Sequence, residues 1–111
     1  MTNVPFAVVE VTGGSINANV KDLPKATTQN YGAVGVLSTA TLIRAANANR
    51  KAILIKNNST QNVYLGSNSS VTISNGQIIA PGETFFDDTY TGDIYGIVAG
   101  GSADVRYTED V

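Results

Sequence analysis

Apolar and polar positions alternate along the middle of this chain in short units, each closed by turn residues. From Arg50 to Lys56, the residues Ala52, Ile53, Leu54 and Ile55 fall on both parities, which predicts a central strand covered on both faces. Asn57-Asn58-Ser59-Thr60 is turn chemistry, and Val63-Tyr64-Leu65 reads as the next strand. Val71 and Ile73 alternate with Thr72 and Ser74 ahead of Asn75-Gly76, the strongest two-residue hairpin signal. Ala80-Pro81-Gly82-Glu83 fits a type II turn, with Pro presetting φ and Gly supplying a positive one. Upstream, Thr41-Leu42-Ile43-Arg44-Ala45 predicts a strand that runs into a turn at Asn47-Ala48-Asn49. Downstream, Ile94–Ala99 and Ala103–Thr108 predict a hairpin turning at Gly100-Gly101-Ser102. In its second arm Ala103, Val105 and Tyr107 share one face, and Asp104, Arg106 and Thr108 the other. About seven to nine short strands at this spacing predict an all-β fold, an antiparallel β-sandwich of immunoglobulin-like or jelly-roll-like wiring.

The first third differs. Phe6-Ala7-Val8-Val9-Glu10-Val11 is rich in branched residues and predicts a strand, which Gly13-Gly14 ends. Ile16–Val20 is a weaker extended segment, and Lys21–Gly35 shows little periodicity. Residues 1–37 therefore read as an extended N-terminal arm with one or two strands, and residues 38–111 as the β-sandwich domain. A terminal strand folded back onto its own sheet is the alternative.

Composition narrows the functions. Only 14% of the 111 residues are charged, against about 25% in ordinary soluble domains, and Asn, Thr, Ser and Gly fill the gap. Low charge suits a surface that lies against another protein. A net charge of −2 and an isoelectric point near 4.8 argue against nucleic acid. Lys21, Lys25, Arg44, Arg50, Lys51, Lys56 and Arg106 form no cationic cluster, and Arg50-Lys51 is expected to flank a strand. No apolar run reaches the length of a membrane span, and Met1–Phe6 lacks the basic start of a signal peptide.

Candidate chemistry is sparse. With neither Cys nor His, thiolate zinc sites, cysteine nucleophiles and Ser-His-Asp triads are excluded. Gly13-Gly14-Ser15 and Gly100-Gly101-Ser102 lack the Gly-Lys-Ser/Thr of a phosphate loop and read as turns. Asp87, Asp88 and Asp93 are the one acidic group, lack EF-hand spacing, and read as a solvated loop rather than a calcium site. Of the five tyrosines, Tyr64, Tyr95 and Tyr107 fall in predicted strands, while Tyr31 and Tyr90 fall in predicted loops and are the better binding candidates. No catalytic residue, metal site or cofactor is expected, and the chain is not expected to be an enzyme.

The run from Leu42 to Asn58 sets Asn49-Arg50-Lys51 ahead of an apolar strand and Asn57-Asn58-Ser59 behind it. Together with Val63-Tyr64-Leu65-Gly66, the Ala80–Glu83 turn and the closing strand Ala103–Tyr107, it resembles small virion proteins of tailed bacteriophages. Gly13–Val20 looks like their leader segments. The resemblance implies a capsid decoration (cement) protein on the outer surface of the capsid, homo-oligomeric and often trimeric, binding the major capsid protein. In that setting strands of the arm add to a neighbouring sheet edge, with Phe6, Val8, Val9 and Val11 as the apolar contacts. The alternative is a receptor- or glycan-binding β-module of a head or tail fibre.

Overall fold

In the computed structural model, which describes residues 25–111, every regular element is a strand. In chain order these are β1 (Gln29–Leu37), β2 (Thr41–Arg44), β3 (Ala52–Asn57), β4 (Val63–Gly66), β5 (Gln77–Ile79), β6 (Thr84–Asp87), β7 (Ile94–Ile97) and β8 (Ser102–Asp110). They form two four-stranded antiparallel sheets, β1-β8-β3-β6 (sheet one) and β2-β7-β4-β5 (sheet two). The sandwich is thus as the alternation predicts, and its wiring is that of an eight-stranded jelly roll. Apart from β4 to β5, every successive strand lies in the opposite sheet.

The period of two builds the core. Val36, Ile53, Ile55, Ala103 and Val105 point inward from sheet one, and Ile43, Val63, Leu65, Ile79 and Ile94 from sheet two. Full burial of each large aliphatic side chain contributes about 1.5–3 kcal/mol. Gly96 of β7 admits close packing, because a Cβ there would lie 2.7 Å from Ile43 Cδ1 and 3.3 Å from Val36 Cγ1. The Ala80–Glu83 turn forms as expected, with Glu83 N–H donating to Ala80 O at 2.9 Å and Gly82 at φ 80°.

Four expectations are corrected. First, residues 94–108 are no hairpin: β7 pairs with β2 and β4, whereas β8 pairs with β1 and β3. Both strands have one apolar face, and facing across the core buries those faces as well as lying side by side would. Second, Val71–Ser74 is not a strand, and Asn75-Gly76 is not a two-residue hairpin. Side-chain acceptors displace the ladder: Asn68 Oδ1 takes the Ser70 N–H and Asn75 Oδ1 takes the Thr72 N–H. Third, β3 is central but covered on one face only, since Leu54 and Lys56 are exposed. Fourth, Gln29–Leu37, placed in the arm by its weak periodicity, is β1. It pairs with β8 along its whole length and sends Val36 into the core, so Gln29–Leu37 belongs to the sandwich. The remainder of the expected arm, residues 1–24, lies outside the described residues.

Candidate interaction surface

Sheet one is held from beneath by a buried ionic cluster. The inward parity of Ala103, Val105 and Tyr107 continues to Glu109, whose side chain is 0% exposed. Its Oε1 accepts from Arg44 Nη2 at 2.8 Å, Arg44 Nε at 3.0 Å and Asn30 Nδ2 at 3.3 Å. Its Oε2 accepts from Arg50 Nε at 2.8 Å. The Arg50 side chain is 1% exposed and uses its remaining donors on the carbonyls of Ala45 (2.8 Å), Gly92 (2.9 Å) and Tyr90 (3.3 Å). Arg44 also donates to Tyr107 Oη at 3.0 Å and lies 4.9 Å from that ring's centroid. Burial by itself would raise the Glu109 carboxyl, but the hydrogen bonds from Arg44, Arg50 and Asn30 outweigh it and hold the group at about 2. Every oxygen of this carboxylate is occupied, so the cluster ties β8 to β1, β2 and the loops at 45–50 and 90–92. It is a structural clamp.

Above that clamp, the outward residues of sheet one fall into rows across the strands. Direct pairing aligns Tyr31 with Thr108, Thr108 with Leu54, and Leu54 with Phe86. This row spans all four strands without a charge and is open to solvent, with Tyr31 79%, Phe86 57% and Leu54 41% exposed. On one side of it lies the row Ala33, Arg106, Lys56 and Thr84; on the other, Gln29, Asp110 and Ala52. Arg106 pairs with Asp104 (Nη2–Oδ2 2.8 Å), and Gln29 Nε2 donates to Asp110 Oδ1 at 2.9 Å.

The outward face of sheet two is built differently. Leu42 and Tyr95 form one cross-strand pair, and Tyr64 stands between Ile97 and Ile78. Here residues 67–76 fold back over the sheet. A Cβ on Gly66 would lie 2.6 Å from Val71 Cβ, and one on Gly76 2.7 Å from Tyr64 Cβ. Val71 is buried on this outer side, apart from the main core cluster.

The remaining feature is the edge of sheet one. β1 is nine residues long, Gln29-Asn30-Tyr31-Gly32-Ala33-Val34-Gly35-Val36-Leu37, with neither charge nor Pro. Among the described residues, no strand pairs with its outer side. Charged residues, prolines and bulges are the usual protections of such an edge, and β1 has none of them.

The other candidates resolve as follows. Tyr31 lies in strand β1, not a loop, and Tyr90 lies in a loop with its hydroxyl donated to Asp93 O at 3.0 Å. Asp87 Oδ1 caps the N–H groups of Thr89 (2.8 Å) and Tyr90 (3.0 Å), which lower its carboxyl, the Thr89 bond most. Asp93 Oδ1 takes the Ala46 N–H at 2.7 Å. These carboxylates are therefore spent on loop geometry, and among the described residues no group of three acidic or other ligating side chains converges for a metal. An open depression of about 260 Å³ beside Asp87, Tyr90, Phe85 and Leu65 is smaller than the usual ligand pocket. Phe6, Val8, Val9 and Val11 lie outside the described residues.

Residue pattern alone missed the clamp, although extending the Ala103-Val105-Tyr107 parity by one step reaches Glu109. No family model, curated protein or solved structure was found to match this chain.

Proposed function

We propose that the chain is a structural virion protein of a tailed bacteriophage, a capsid decoration protein that binds the outer shell and staples neighbouring capsid subunits. The observation that carries this reading is the uncharged, nine-residue edge of β1, with which no strand among the described residues pairs on its outer side. A strand from a neighbouring subunit satisfies the edge's open backbone groups, and the apolar arm residues Phe6, Val8, Val9 and Val11 supply side-chain contacts. Stapling of this kind needs a rigid support and no reaction, which suits a buried clamp beneath an uncharged row.

The test compares the full chain with a variant lacking residues 1–24 for binding to shells stripped of it. That boundary keeps β1 intact, whereas deletion to residue 37 would remove Val36 from the core. The full chain is expected to decorate the head in a regular lattice, and the truncated one to stay folded but unbound. Label confined to the tail would overturn the capsid assignment.

A second reading, a receptor- or glycan-binding module, is favoured by the aromatic face of Tyr31 that projects into solvent. Adhesion of the purified chain to host cells, lost in Tyr31→Ala, would support it. Jelly rolls occur in both capsid and lectin domains, so the fold decides neither.

A further inference from the structure

We propose that the outer face of sheet one is a self-association surface, on which two copies of this chain pack face to face. The twofold axis runs along the Tyr31–Thr108–Leu54–Phe86 row. This inference concerns the chain in solution and is independent of the virion reading.

The charges choose the axis. On the outward face of β8, Arg106 lies on one side of Thr108 and Asp110 on the other. Rotation by 180° about an axis along the row reverses strand direction. It therefore sets the Arg106 side of one copy over the Asp110 side of the other. Since both sit on β8, Arg106 meets Asp110 of the second copy, and the pair forms twice. Rotation about an axis parallel to the strands and midway between β8 and β3 would instead set Arg106 over Lys56, twice. Like charges so placed disfavour that arrangement.

The groups are prepared for this contact. Arg106 spends Nε and Nη2 on Asp104, and no bond among the described residues engages Nη1. Asp110 spends Oδ1 on Gln29, and none engages Oδ2. Between these two contacts the uncharged row meets its own copy, with Tyr31 over Tyr31 and Phe86 over Phe86. Aligned sheets pack in this way about 10 Å apart, with a rotation of about 30°. Four strands about 4.8 Å apart and a few residues long give an interface at the low end of specific contacts, so association on the order of tens of micromolar is expected.

Sedimentation of the full chain over a concentration series tests this directly. A monomer–dimer equilibrium is expected, weakened at least tenfold by Leu54→Ser and by each of Arg106→Asp and Asp110→Arg, while circular dichroism keeps the β signature. The decisive mixture combines the two charge-reversed variants. One then presents two acids and the other two bases, so the mixed pair dimerises more tightly than either variant with itself. A chain that stays monomeric to millimolar concentration overturns the proposal. So does association that Leu54→Ser leaves unchanged, or a mixture no tighter than its components.

Discussion

The two outward faces of this sandwich carry similar amounts of apolar side chain but dispose of it differently. Sheet two is covered in part by its own chain: residues 67–76 fold over its β4 strand and bury Val71 beside Gly66 and Tyr64, while Leu42 and Ile78 stay exposed. Sheet one leaves its row of Tyr31, Leu54 and Phe86 in solvent, flanked by charges of opposite sign. An uncovered row with an ordered charge pattern marks a contact surface, because scattered exposed apolar residues would need no explanation and aligned ones do.

The comparison is broken most severely from below. Glu109→Ala leaves Arg44 and Arg50 without their carboxylate, with Arg50 fully buried, and is expected to cost about 3–5 kcal/mol in denaturant unfolding. That loss would release the β8 end that carries both Thr108 and Asp110. Acid works through the same group. Its carboxyl titrates at about 2 when folded against an ordinary value of 4.5, so the unfolded chain binds more protons between these limits. The stabilisation is complete above about pH 4.5 and fades as pH falls toward 2. Glu109→Gln, already destabilised, should show a flatter stability profile across that window.

A smaller change separates the faces. Val71→Ala is expected to cost about 1–2 kcal/mol, with faster amide exchange confined to residues 67–76. If exchange instead rises across both sheets, the loop is part of the main core and the contrast fails. The mildest changes fall on sheet one. Tyr31→Ser and Phe86→Ser should alter unfolding free energy by less than about 1 kcal/mol, because both side chains are mostly in water. A larger loss would mean that the row serves the fold and not a contact.

Much of the fold is legible in the chain because alternation and turn chemistry are local. The strands at 41–44, 52–57, 63–66 and 94–97 and the turn at Gly82 follow from neighbouring residues alone. Sheet membership does not. Ile94 and Val105 are each inward-facing in any two-sheet arrangement, and Gly100-Gly101-Ser102 serves a crossover as well as a hairpin. β1 escaped because Gly32, Ala33 and Gly35 dilute its pattern, although its partner β8 accepts small residues readily. Burial of Glu109 depends on two arginines about 60 positions away in the chain, supplied by β2 and the loop before β3. Such a cluster becomes visible only once the strands are paired. The exposed row escaped for the same reason, since Tyr31 and Phe86 are joined through Thr108 and Leu54 rather than through the chain.

The jelly-roll wiring also governs how this domain must fold. Gln29 and Asp110 bond across 81 positions, β8 cannot pair until β1 and β3 exist, and among the described strands only β4 and β5 form a local hairpin. Almost every ladder closes a long loop before it gains a hydrogen bond, which places the chain among the slow, high-contact-order folders, with refolding in milliseconds to seconds. Of the described strands, β8 is the last in chain order and lies inside sheet one. Until it arrives, β1 and β3 have no common partner, and no other described strand pairs with uncharged β1 on either side.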